Sequence, residues 1–205
     1  MLVRLTFDDG PGPSTPDLLD VLRDASCRAT FFLLGGNLAA GWEVAVRMAT
    51  EGHVLGNHTY SHARAGELPQ AGLAAEIDAT DALIRKVYMD AGLKPSASIP
   101  LRLPYGVQPE DPRVRVLEGL GRESLGWTLI LDDWHQPQPA PDVLLASIGR
   151  HVEEQGRAGQ DVLLCLHDGS RHREARPATV ETVRRLLIDP HLRALVRESG
   201  PAGIP

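Results

Sequence analysis

The sequence predicts an α/β fold in which a parallel sheet is covered by helices. Short strand-like runs alternate with helix-length patterns along the chain. The run Val162 to Leu166 is also apolar at every position, as in a strand buried on both faces. No Ser-rich linker, internal repeat or low-complexity tract divides the 205 residues, so one domain spanning 1–205 is expected.

The first strand is expected over Val3 to Phe7, where Leu2, Val3, Leu5 and Phe7 favour extended backbone and Gly10-Pro11-Gly12-Pro13 ends the run. A helical pattern over Pro16 to Ala25 leads to a strand at Ala29 to Leu34. Gly41 to Glu51 then reads as a helix before a strand at Val54 to Gly56. The helix Ala71 to Ala91 precedes a strand at Ile99 to Leu103, and Asp111 to Gly119 precedes one at Ser124 to Leu131. Pro141 to Gln155 is the helix before Val162 to Leu166, and Thr179 to Leu187 is the next. After Pro190 a short helix is expected through Arg197, but residues from about 189 to 205 lack a core pattern. They read as a loose tail, and the pattern leaves a final strand undecided.

Composition excludes several classes. A formal charge of -6 argues against a nucleic-acid surface, and Arg113-Val114-Arg115 and Arg184-Arg185 read as solvated helix faces. No run approaches the roughly 18 apolar residues of a membrane span. Cys27 and Cys165, the two cysteines, lie in unlike patterns, so no disulfide framework is expected. Met1 leads directly into the first strand, which points to the cytoplasm; a chain trimmed from a longer precursor would instead act outside the membrane.

Polar residues cluster where strands end. Thr6-Phe7-Asp8-Asp9-Gly10-Pro11 puts two adjacent carboxylates where a strand breaks into a turn, so they can take different roles; an Asp-Gly turn is the plainer reading. His58 and His62 stand at i and i+4. If Thr59 to Ala63 turn helically, both rings share one face about 5 to 6 Å apart at Cβ, and Asp9 would complete a two-histidine, one-carboxylate metal site. Solvated surface histidines are the alternative, and His53 reads as ordinary. In Arg102-Leu103-Pro104-Tyr105-Gly106 the guanidinium suits a carboxylate such as Asp8, or is simply exposed at a strand end. His167 emerges from the last apolar strand on the same side as Cys165 and is placed for proton transfer, with Asp133 able to orient it and raise its pKa. Asp168 reads as bonding local turn amides, and Cys165 as a small buried hydrophobe.

Taken in order, T-F-D-D-G-P, H-T-Y-S-H, R-L-P-Y-G, D-D-W and L-C-L-H-D-G resemble the five motifs of the NodB-homology polysaccharide deacetylases, carbohydrate esterase family 4, over roughly residues 3 to 190. The resemblance implies an irregular (β/α)7-type barrel with the active site at the C-terminal ends of its strands. It further implies that Asp9, His58 and His62 bind a divalent metal, usually Zn2+ and in some relatives Co2+. Asp8 would be the base toward metal-bound water, held by Arg102. His167 would be the acid, held by Asp133. The Tyr105 backbone N–H would serve the oxyanion, and Trp134 and Cys165 would line the acetyl pocket.

The implied reaction removes acetyl groups from N-acetylglucosamine-type sugars, chitooligosaccharide or peptidoglycan-like. Xylan O-acetyl ester or small-molecule amide hydrolysis are alternatives on the same site. A non-catalytic sugar-binding relative would usually have lost Asp8, a metal ligand or His167, and a non-haem iron oxygenase would not need the proton-transfer groups. Two positions depart from the family: Ile130 stands where an aspartate is frequent, and Cys165 where leucine is common. Aromatic residues are only 4% of the chain, so a short substrate is expected rather than a long stacking groove.

Overall fold

A computed structural model describes residues 1–197. Five parallel strands form one sheet in the order β3-β2-β1-β5-β4, where β1 is Val3–Gly10, β2 Thr30–Leu33, β3 Val54–Asn57, β4 Leu129–Ile130 and β5 Val162–His167. Among the described residues seven helices lie between and after them: α1 Thr15–Asp24, α2 Gly35–Thr50, α3 Gln70–Asp90, α4 Arg113–Gly119, α5 Pro141–Arg157, α6 Pro177–Ile188 and α7 Pro190–Leu195.

Beyond its edge strands the sheet continues as single contacts. Beyond β3, Leu101 makes one parallel bridge to Asn57, and the Leu125 N–H donates to the Leu101 carbonyl. The chain then crosses to β5, where Thr128 and Leu131 donate to Leu163 and Cys165. The strands expected at 99–103 and 124–131 are therefore mostly bridges, since Pro100 and Pro104 have no N–H to give a ladder. The parallel sheet with its covering helices is the architecture the sequence predicts, and the edge contacts agree with the irregular barrel that the resemblance implies.

Strand alternation sorts β1 into two faces. Val3, Leu5 and Phe7 point outward and join Phe31, Leu33, Leu164 and Leu166 in the main core. That core also takes Leu18 and Leu22 of α1, Met48 of α2, Ile84 of α3, Ile148 of α5 and Val183 of α6. Thr6 and Asp8 face the other way, toward Arg102 and Cys165. The barrel interior is thus a buried polar column, and the helices shield its outside.

Two expectations are corrected. Helix α2 begins at Gly35 rather than Gly41; Gly41 is a non-helical kink inside it, where a Cβ would sit 2.6 Å from Pro11 Cβ. Residues 189–197 are not a loose tail. Asp189 caps α7 through the amides of His191 and Leu192, Val196 is buried and bridges Val3, and Arg197 N–H donates to the Val3 carbonyl. One bridge thus stands where the sequence leaves a final strand undecided, and the rest of the predicted tail, 198–205, lies outside the described residues. Among the described residues no helix is long and apolar enough to cross a membrane.

Candidate active site

The site begins with a defect in β1. Pairing with β2 runs in register to Asp8↔Phe32 and resumes at Gly10↔Leu33, so Asp9 is an extra residue in the ladder. Asp9 has φ 72°, a left-handed conformation that non-glycine residues rarely adopt. The bulge lets neighbouring side chains share one cavity: Asp8 follows the interior face, and Asp9 turns toward the loop after β3. Asn37 secures the turn by donating from Nδ2 to the carbonyls of Asp9 and Ser170.

His58 and His62 come from that loop. The expected helical turn is absent, because Thr59 and His62 both have positive φ, 66° and 61°. Asn57 shapes the loop instead: its Oδ1 accepts from Thr59 N–H, while its Nδ2 donates to Asp81 and to the Ile77 carbonyl. The rings still meet, with centroids 5.2 Å apart. Asp9 Oδ1 lies 3.4 Å from His58 Nε2 and 3.1 Å from His62 Nε2. That oxygen is buried without a hydrogen-bond partner, so three ligand atoms converge without bonding one another. A divalent cation fits such a set of one carboxylate and two imidazoles.

The outer contacts agree with metal ligation. His58 Nδ1 lies 2.8 Å from the Arg102 carbonyl and His62 Nδ1 3.1 Å from the Tyr105 hydroxyl, which fixes each ring by its far nitrogen and turns Nε2 inward. Burial keeps His58 below the ordinary imidazole range against the pull of Asp8 and Asp9. Burial alone would raise Asp9, but His62, His58 and His167 outweigh it and hold the carboxyl well below the usual range.

Asp8 lies on the other side of this set, its Oδ2 3.8 Å from His58 Nε2. Arg102 is fully buried and uses its whole fork: Nη1 donates to Asp8 Oδ1 and Thr6 Oγ1, both at 2.7 Å, Nε to the Leu125 carbonyl and Nη2 to the Gly126 carbonyl. Phe32 stacks on the guanidinium at 4.2 Å. Opposite Asp8 in register is His167. Its Nδ1 is 2.7 Å from Asp133 Oδ1, while Asp133 Oδ2 accepts from the His167 N–H and the Thr179 hydroxyl. Burial would lower the imidazole, but Asp133, Asp9 and Asp8 push it up to about 9, so His167 is protonated near neutral pH.

The geometry therefore joins a cation site, a carboxylate held by an arginine and an imidazole held by a carboxylate. Comparison with known proteins places the chain among others of this kind. Residues 1–123 match the family described as polysaccharide deacetylase. The chain is 34% identical over 196 residues to a chitooligosaccharide deacetylase of Bradyrhizobium sp. (strain ANU 289), covering 94% of this chain and 80% of that one. It is also 34% identical over 167 residues to a peptidoglycan-N-acetylglucosamine deacetylase of Bacillus cereus. That match covers 80% of this chain and spans 58% of the longer relative. The chain belongs to the polysaccharide deacetylase family. The crystal structure of a polysaccharide deacetylase from Bacillus cereus superposes with a TM-score of 0.74 at 29% identity, over 100% of this chain and 95% of that one.

Within this deacetylase fold the remaining predicted residues sit as follows. Tyr105 is partly exposed at φ 64°, with its ring edge-on to His62 at 4.7 Å and Arg64 over its face. Trp134 is 46% exposed and packs on His135 at 4.0 Å. Ile130 pairs with Cys165 and is partly exposed on β4. Cys165 is fully buried, as expected of a small buried hydrophobe, and it also has a polar partner: its Sγ donates to Asp8 Oδ2 at 3.3 Å, and burial and Asp8 push its thiol up, so it remains S–H. Asp168 also departs from expectation. It is buried, its Oδ2 accepts from the Thr15 hydroxyl rather than from a chain of turn amides, and burial raises it to about 7.

Sequence reasoning passed over Thr6, Asn57 and Thr179. Each is a common polar residue inside a regular pattern, and only the fold shows that its partner is Arg102, the metal loop or Asp133.

Proposed function

We propose that this chain is a metal-dependent hydrolase that removes acetyl groups from N-acetylglucosamine-type sugars. One observation carries the reading: Asp8 and His167 flank the Asp9–His58–His62 set from neighbouring strands, each held by its own buried partner. A divalent cation held by Asp9, His58 and His62 would supply Lewis acidity toward the amide carbonyl and lower the pKa of water.

The chain's own groups supply the proton transfers. Asp8, aimed by Arg102 and Thr6, accepts the proton of the attacking water. His167 Nε2 donates to the leaving nitrogen, while Asp133 stabilises the imidazolium until the proton is given up. The Tyr105 backbone N–H serves the carbonyl oxygen as negative charge develops, a contribution of ~3 to 4 kcal/mol for a well-placed donor. Trp134, which is exposed, would border the acetyl methyl group, and Cys165, fully buried, would shape the wall behind Asp8. Support for sugar amides over other acyl substrates comes from the relatives, which are named as chitooligosaccharide and peptidoglycan-N-acetylglucosamine deacetylases. The sparse aromatic residues favour short oligosaccharides.

The test is acetate release from chitooligosaccharides and acetylated xylan. Stripping metal is expected to abolish release, and adding Zn2+ or Co2+ to restore it, with the chitin substrates preferred. Release that survives exhaustive chelation would remove the metal from the reaction.

The acid has its own signature. Activity should fall at alkaline pH as His167 loses its proton, and Asp133→Asn should move that limb to lower pH, because the imidazole loses the carboxylate that raises it to about 9. A limb that stays in place in the variant would mean another group is the acid. Buried Asp133 accepts three hydrogen bonds, so the same variant should also melt earlier.

A further inference from the structure

Cys165 gives this site a donor set of a second kind. One ligand atom each of Asp8, Cys165 and His167 lies within 4.8 Å of the others, and all three residues are buried. Asp8 Oδ2 and Cys165 Sγ are 3.3 Å apart. Zinc–sulfur and zinc–oxygen bonds of about 2.3 and 2.0 Å at a tetrahedral angle put such a pair roughly 3.5 Å apart, so the spacing is close to that of two ligands on one ion. Asp133 holds His167 Nδ1, which leaves Nε2 for an ion.

We propose that Asp8, Cys165 and His167 form a second, inhibitory site for a thiophilic divalent cation such as zinc in excess or cadmium. The two sites differ in softness. Asp9, His58 and His62 offer oxygen and nitrogen, whereas the second set adds a thiolate, which selects softer ions. An ion is held there by the thiolate of Cys165 and the neutral Nε2 of His167, so the protons these atoms carry leave to solvent as it binds. The charges balance: the Asp8 carboxylate and the new thiolate face the ion, and Asp133 backs the ring. An ion in this place engages the base and the acid together, a consequence that rests on the roles proposed for Asp8 and His167.

Cobalt(II) reports the ligands directly, since a thiolate adds an intense near-ultraviolet charge-transfer band that oxygen and nitrogen donors do not give. Metal-free protein titrated with Co2+ is expected to bind one ion without the band and a second with it. Acetate release supported by the first should fall roughly 100-fold or more as the second binds, the scale of general acid–base catalysis. Cd2+ should reach the same endpoint at lower concentration. The band should persist in Cys27→Ala and vanish in Cys165→Ala, which should take up a single ion. One ion bound to the unmodified protein without the band overturns this proposal and leaves the Asp9–His58–His62 reading standing. A single ion bound with the band supports the cysteine site and overturns the other reading, and a protein that binds no cobalt overturns both.

Discussion

Asp8→Asn is expected to lower the rate of acetate release by roughly 100- to 10,000-fold, the range for loss of a general base, while the metal held by Asp9, His58 and His62 stays bound. The substitution keeps size and shape. An amide oxygen in place of Oδ1 still accepts from Arg102 Nη1, and Asp9, His58 and His62 are untouched. What disappears is the group that accepts a proton from the attacking water. Asp9→Asn alters the neighbouring carboxylate and should fail differently, by losing metal affinity, because Asp9 Oδ1 is the oxygen that converges with His58 and His62. Metal analysis beside steady-state kinetics separates the two. If Asp8→Asn loses the metal held by Asp9, His58 and His62 as well as its rate, or keeps its rate, Asp8 is not the base.

The largest expected effect on stability is at Arg102. Arg102→Met keeps much of the side chain's bulk but leaves Asp8 buried without its cation. Breaking a buried ion pair in this way costs ~3 to 5 kcal/mol. Thr6 Oγ1 and the carbonyls of Leu125 and Gly126 lose their donors at the same time. Arg102→Lys should also be poorly tolerated, since an ammonium lacks the planar fork that reaches these acceptors and stacks on Phe32. Urea unfolding is the measurement, and a control variant makes it specific. Adding Asp8→Asn to Arg102→Met removes the stranded charge and should recover part of the loss. If the double variant is no more stable than Arg102→Met, the cost lies in packing and not in the unpaired carboxylate.

Both predictions turn on residues that the sequence displayed openly. Asp8, Asp9, His58, His62, Arg102, Asp133 and His167 are chemically conspicuous types at the ends of apolar runs, and strand periodicity places Cys165 on the same face as His167. The α/β class was equally legible, because β1, β2, β3 and β5 are short apolar runs separated by helix-length segments. The weaker strands were not. Leu101 makes one bridge and β4 spans two residues, because proline and the crossing of residues 122–128 between sheet edges limit the pairing.

The loop carrying His58 and His62 shows a further limit. An i, i+4 spacing suggests a helix from local geometry, yet two left-handed residues and Asn57 bring the rings together without one. Backbone strain of this kind is maintained by long-range contacts, which periodicity does not encode. The same holds for the bulge at Asp9, where only the register with β2 reveals the extra residue. Asp168 reads as a turn residue in the chain and is a buried acid in the fold, because Thr15, which donates to it, lies 153 residues away.

The sequence by itself determined the class of fold, the identities of the groups at the strand ends and the chemistry those groups are capable of, since side-chain type and local periodicity are properties of the chain. Tertiary structure decided which of them meet: that Arg102 serves Asp8, that Asp133 and Thr179 lock His167, and that Cys165 touches the proposed base. The physical reason is that these contacts join residues far apart in sequence, where burial removes competing water and leaves each polar group only the partners the packed strands bring to it.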